Sequence, residues 1–159
     1  MKFRKLLSAA ILFFAAFFVR GVEVVNAGHS GWNSRQLREI FRQELDKNRP
    51  DLIILMVGTN DNLNSYNLVP PEEFEKNLTA MAEAAKASGA ELLLCEIPNA
   101  CQELMQKRHK ADFFRRETAE DKVRRANQIV AAVAEAQRIP LLKTTEILGK
   151  ATTDAASLI

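Results

Sequence analysis

The chain has 159 residues, 47% of them apolar and 26% charged, enough for one domain with its own core. Its formal charge of +2 is unevenly placed: the first twenty residues hold four basic residues and no acid, so the remainder carries 18 basic and 20 acidic residues. A body without basic excess gives little support to nucleic-acid binding, and two cysteines without a Cys–His spacing suggest no zinc site.

Residues 1–20 read as a targeting segment. Met-Lys-Phe-Arg-Lys is a basic start, and Leu6 to Val19 is apolar apart from Ser8. The run is short for a membrane span, which needs roughly 20 residues, and suits the apolar core of a signal peptide. On this reading the protein is exported, to a periplasm or beyond, and meets a membrane only through this segment if it stays uncleaved. The cleavage region is poor, since Val25-Asn26-Ala27 is the best small-residue match and lies inside the next element.

The domain proper is expected over 21–159. Val22 to Val25 is a short β-branched run, read as a strand, and Asn26-Ala27-Gly28-His29-Ser30-Gly31 follows as a turn of small and polar residues. Only Arg20-Gly21 separates the apolar segment from this strand. That link is too short for a parallel crossover, so the segment folds back as an antiparallel hairpin or stays helical.

Residues 33–48 predict a helix capped by Asn33 or Ser34, with Gln36 at the capping-box offset from Asn33. Leu37, Ile40, Phe41 and Leu45 share one face, and the arginines fall on a solvated one. Pro50 closes the segment. Leu52 to Val57 is then six apolar residues without a break, the pattern of a strand buried on both faces. Gly58 lets the backbone turn at its carboxyl end, and Thr59-Asn60-Asp61 presents three polar side chains where open α/β sheets bind ligands. Asn60 offers a neutral amide donor, which suits an oxyanion hole better than a metal site. The two glycines at 28 and 31 let backbone N–H groups point into a shared space, so the Gly31 N–H and the Asn60 amide are expected to converge on one oxygen.

Asn62 to Pro70 reads as a polar loop with Tyr66 as an ordinary loop residue. Pro71 starts a helix with Glu72 and Glu73 in its first turn, Phe74, Leu78, Met81, Ala82 and Ala85 along its apolar stripe, and Gly89 at its end. Asn77-Leu78-Thr79 matches a glycosylation acceptor but lies mid-helix and is discounted. Glu91 to Ile97 is the next strand, ended by Pro98. Cys95 and Cys101 either form a disulfide near that strand tip or stand as a buried hydrophobe and a loop thiol. Gln102 to Phe114 has helical composition, and His109, between Arg108 and Lys110, reads as a solvent-exposed residue. A helix over 117–137 with Val123, Ile129, Val130, Val133 and Ala134 inward, a strand over 139–142 and a helical turn over 144–148 complete the pattern. This β-α-β-α-β-α-β order predicts a parallel sheet in a flavodoxin-like three-layer α/β/α sandwich, with Val24, Ile53, Ile54, Leu55, Leu93, Leu94 and Leu141 in the core.

Asn-x-Gly-x-Ser-Gly at 26–31 and Gly-x-Asn-Asp at 58–61, each at a strand tip with a helix between, resemble the second and third sequence blocks of the SGNH (GDSL-like) ester hydrolases. The resemblance implies acyl-ester hydrolysis by a serine nucleophile without metal or cofactor, on a small-molecule, carbohydrate or lipid ester. It also implies an oxyanion hole at Gly31 and Asn60, supported by Asn26, Gly28, Gly58 and Asp61. The family's nucleophile block, Gly-Asp-Ser, does not occur in this chain, and neither does its closing Asp-x-x-His; the residue three after Asp154 is Ser157. The expectation is a domain without its first strand, holding the oxyanion half of the site with no nucleophile, and nearly inactive alone. The alternatives are a binding module that keeps the pocket, or a structural remnant.

Overall fold

The computed structural model describes residues 21–148, so the signal-like segment lies outside the described residues. The described chain forms helix α1 (Ser34–Asn48), strand β1 (Leu52–Leu55), the short helix α2 (Thr59–Leu63), α3 (Pro71–Ser88), β2 (Glu91–Cys95), α4 (Gln102–Arg108), a 3-10 turn (Ala111–Phe114), α5 (Ala119–Gln137) and β3 (Leu141–Leu142). The three strands form one parallel sheet in chain order, an α/β fold as the alternation of elements predicts.

Local signals set the helix ends where expected. The Asn33 side chain accepts from the Gln36 N–H at 3.1 Å while the Gln36 side chain accepts from the Asn33 N–H, a full capping box. Arg49 leaves α1 in the left-handed region at φ 44°, donating its N–H to the Leu45 carbonyl, with Pro50 next. Pro71 opens α3, and Gly89, at φ 84°, closes it. Thr118 caps α5 by accepting from the Asp121 N–H. The stretch 102–114 breaks at His109 into α4 and the 3-10 turn.

The sheet's inner face carries Ile53 and Leu55 beside Leu92 and Leu94, with Leu141 following, and packs on the apolar stripes of α3 and α5, with α1 against α3. Phe74, Leu78, Met81, Leu94, Ile97, Val123 and Val130 are fully buried there. Asn127 of α5 brackets Ile97, accepting from its N–H at 2.8 Å and donating to its carbonyl at 3.0 Å, so the end of β2 is fixed to the helical layer.

Two expectations fail and one open alternative is decided. Val22–Val25 forms no strand and joins no sheet; Val24, placed in the core from its pattern, is 86% exposed. Residues 52–57 are not buried on both faces: β1 is an edge strand, and Leu52, Ile54 (66% exposed) and Met56 look outward. The two failures share a cause. A β-branched or apolar run is buried as a strand only when a neighbour pairs with it, and no described strand lies between the 22–25 segment and β1. Finally, Cys95 and Cys101 are both free thiols, Cys95 buried and Cys101 exposed, so the disulfide alternative is not realised.

Candidate oxyanion site

The site grows from Gly58, just past the end of β1. Its φ of 125° is open to glycine and to few other residues, and a Cβ there would meet Phe74 Cζ at 2.7 Å. The chain turns at this point into α2, and the Asn62 side chain locks the turn by donating to the Gly58 carbonyl at 2.9 Å. Asn60 therefore projects from the first turn of a helix whose backbone is pinned. Its side-chain amide donates to the Trp32 carbonyl at 2.9 Å, one residue past Gly31. An amide NH₂ carries two donors; this bond uses one.

On the other side, Asn26 accepts from the Gly28 N–H at 3.0 Å, which curls the 26–31 segment. Gly31 sits at φ 81°, in the left-handed region, and the His29 ring stacks on Trp32 with centroids 4.0 Å apart. Gly31 and Asn60 line one hollow of about 560 Å³, together with the rest of the 25–32 segment, the inner side of α1 and β1. Ser30 and His29 also line it, but no hydrogen bond joins them; His29 is occupied with Trp32.

Asp61 does not enter the hollow. Its carboxylate is fully buried and both oxygens accept from the Ser34 N–H, each at 3.0 Å, at the start of α1. Burial pushes this carboxyl above its ordinary range, and the bonds from Ser34 pull it partly back. The positive end of a helix is a favourable place for such an anion. The Asp61 carbonyl accepts from the Val69 N–H at 3.1 Å, closing the 62–69 loop. Asn33 donates to Asn67 at its carbonyl (3.1 Å) and its side chain (2.9 Å), and Asn67 donates to Gln36. Asn77 of α3 donates to the Ser34 hydroxyl at 2.9 Å and is itself fully buried. The structure thus brings Gly31 and Asn60 to one hollow, holds Asn26, Gly28 and Gly58 in the backbone around it, and puts Asp61 behind it as a clamp on α1.

Sequence reasoning missed most of that clamp. Asn77 stood out only as a glycosylation motif, and nothing local ties it to Ser34, 43 residues away. Arg35, assigned to a solvated face, forms a two-pronged pair with Glu73 at 2.6 and 2.7 Å. His109 is half-buried rather than exposed: its Nδ1 lies 3.3 Å from the Ser65 hydroxyl, and its ring sits among Tyr66, Phe113 and Phe114. This Ser–His contact is not among the walls of the hollow.

Known proteins are similar to this chain in sequence and in fold. The model of the GDSL-like lipase/acylhydrolase family matches residues 9–159. An arylesterase of Vibrio mimicus is 33% identical over 76 residues, covering 48% of this chain and 36% of that protein. Esterase TesA of Pseudomonas aeruginosa is 35% identical over 74 residues, covering 46% of this chain and 35% of that one. The matched stretch is thus about a third of each curated relative. Among solved structures, the crystal structure of TesA has a TM-score of 0.57 at 26% identity, covering 84% of this chain and 64% of that one. LAE5, an α/β hydrolase enzyme from the metagenome of Lake Arreo, Spain, has a TM-score of 0.69 over 94% of this chain and 66% of its own, and its 22% identity speaks to the fold alone. With a family match over nearly its whole length and a sheet and turns to agree, this chain belongs to the GDSL-like lipase/acylhydrolase family.

Proposed function

We propose that this chain carries the oxyanion-binding half of a serine-type ester hydrolase site, and that alone it turns over esters slowly or not at all. The Gly31 N–H and the free donor of the Asn60 amide would hold the developing negative charge of a tetrahedral acyl intermediate, as preorganised donors do in such sites. The single observation that carries the reading is the bond from the Asn60 side chain to the Trp32 carbonyl, one residue past Gly31, in a hollow that both residues line. Incompleteness is supported by the absence of Gly-Asp-Ser and Asp-x-x-His from the sequence and by the lack of a hydrogen bond between Ser30 and His29, the serine and histidine that line the hollow. The substrate class would be small-molecule esters, including carbohydrate or lipid esters, with no metal or cofactor.

Hydrolysis of a short-chain aryl ester by the purified chain and by Asn60→Ala tests this. An oxyanion hole without its triad leaves about 10³–10⁴-fold acceleration over water in an intact site, so at most that residual rate is expected, reduced by Asn60→Ala. Turnover at an ordinary enzymatic rate would contradict the incomplete reading, and Ser30 and Ser34 would then be the serines to replace.

We also read residues 1–19 as an export signal, on their basic start and apolar run. The family match begins at residue 9, so residues 9–19 are claimed by the domain as well. The amino-terminal sequence of the protein recovered from its host decides between the two: loss of residues 1–19 favours export, retention the domain.

A further inference from the structure

Charge is segregated along the chain. Lys107, Arg108, Lys110, Arg115 and Arg116 stand against one acid, Asp112, in the stretch 107–116. Apart from that stretch, residues 21–159 hold 13 basic and 19 acidic residues. All five cations are exposed, and among the described residues only Arg115 forms an ion pair, with Asp112. Two acids that follow are occupied: Glu117 holds Lys122 and Arg125, and Asp121 holds Arg124. The cations begin on a surface helix. No residue of α4 is fully buried, and Met105 is its contact with the core. Leu104, Lys107 and Arg108 are neighbours at i, i+3 and i+4 on α4, and Leu104 is 55% exposed. The next residues meet the 62–69 loop: His109 Nδ1 lies 3.3 Å from the Ser65 hydroxyl, and Lys110 Nζ lies 5.9 Å from the centre of the Tyr66 ring, itself 73% exposed. That loop comes after β1 and α4 after β2, so the patch stands at the carboxyl end of the parallel sheet, as Asn60 does.

We propose that this patch docks the protein on an anionic lipid surface. Exposed cations without a carboxylate partner are drawn to a negative surface, while the acidic excess of the remaining body is repelled by it, so the field also orients the molecule. The apolar neighbours decide between anions. A nucleic acid takes the cations and leaves Leu104 in water. A bilayer takes both: headgroups meet Lys107, Arg108 and Lys110, Leu104 enters the acyl boundary, and the Tyr66 ring suits the headgroup level. Glu103, one turn before Lys107, is the one acid on α4 and offsets part of the attraction. The proposal depends neither on ester hydrolysis nor on residues 1–19.

The test is hydrogen exchange of the full chain, read peptide by peptide, with vesicles of equal parts phosphatidylcholine and phosphatidylglycerol. Slower exchange is expected across 62–69 and 102–110, and none of this with phosphatidylcholine alone. High salt should reverse it, since the cations are exposed. The triple variant Lys107→Gln, Arg108→Gln, Lys110→Gln should need about tenfold more anionic lipid for the same protection. Arg42→Gln, exposed on α1, should need no more than the unaltered chain. All of these side chains are exposed, so the variants keep the fold. Protection confined to residues 1–20, equal protection on neutral vesicles, or an unaffected triple variant overturns the proposal. An oligothymidylate that protects the same residues, with Leu104→Ser changing neither its binding nor that of vesicles, would give the patch to nucleic acid and overturn it as well.

Discussion

The two walls of the hollow are built very differently. On the Asn60 side, residues 58–69 are fastened to the start of α1 by bonds from Asp61 to Ser34 and from Asn33 to Asn67, α1 is tied to α3 by Ser34 and Asn77, and Asn62 locks the Gly58 turn; of these buried side chains Asn77 alone leaves an oxygen without a partner. On the Gly31 side, residues 21–31 are exposed, hold together by the Asn26–Gly28 turn, a long bond from the Trp32 N–H to the His29 carbonyl and the stacked His29–Trp32 pair, and meet the clamped side through the Asn60–Trp32 bond. The lesson is one of free energy. Polar groups inside a low-dielectric interior fix geometry because leaving any one unpaired is costly, whereas an unpaired extended segment is fixed by little.

Substitutions should expose this asymmetry. The largest loss is expected at Gly58→Ala, where overpacking against Phe74 and a strained backbone act together, about 3 kcal/mol in chemical denaturation. Next is Asp61→Ala, which strands the Ser34 N–H in the interior and should cost about 2 kcal/mol.

Asp61→Asn sharpens the same point through pH. Burial raises the folded Asp61 carboxyl above its ordinary 3.8, so folding favours its protonated form. That contribution is fully present below 3.8 and is lost as pH rises through the raised folded value. The unaltered chain should therefore gain stability relative to Asp61→Asn as pH falls through this window, measured as the difference between their denaturation midpoints. A difference independent of pH would mean that the carboxyl is not shifted.

Asn33→Ala breaks the capping box and its bonds to Asn67, for about 1–2 kcal/mol. Val24→Thr, on the open side, should change stability by less than about 0.5 kcal/mol. A Val24→Thr loss comparable to that at Asp61 would show that the 22–25 segment is packed after all.

The same asymmetry explains what could be read from the sequence. Helix ends rest on neighbours a few residues apart, so the Asn33–Gln36 box, Pro71 and Gly89 were legible, as was the parallel order of strands. Gly31 and Asn60 were singled out because each follows a run that looks like a strand. The pattern misled where burial depends on a partner element: Val22–Val25 and Leu52–Val57 have the composition of paired strands, yet pairing is a property of the neighbour. The Asp61–Ser34–Asn77 clamp stayed hidden because its members are polar residues far apart in the chain, and no periodicity marks them.

The central claim is that Gly31 and Asn60 serve one oxygen. The most direct measurement is a ¹H–¹⁵N spectrum of the full chain titrated with phenylphosphonate, an anion that mimics the tetrahedral intermediate. The account predicts that the Gly31 backbone amide and the Asn60 side-chain amide move together, with one apparent affinity, and that Asn60→Ala abolishes the shift at Gly31. Movement of one without the other, or of neither, would contradict it.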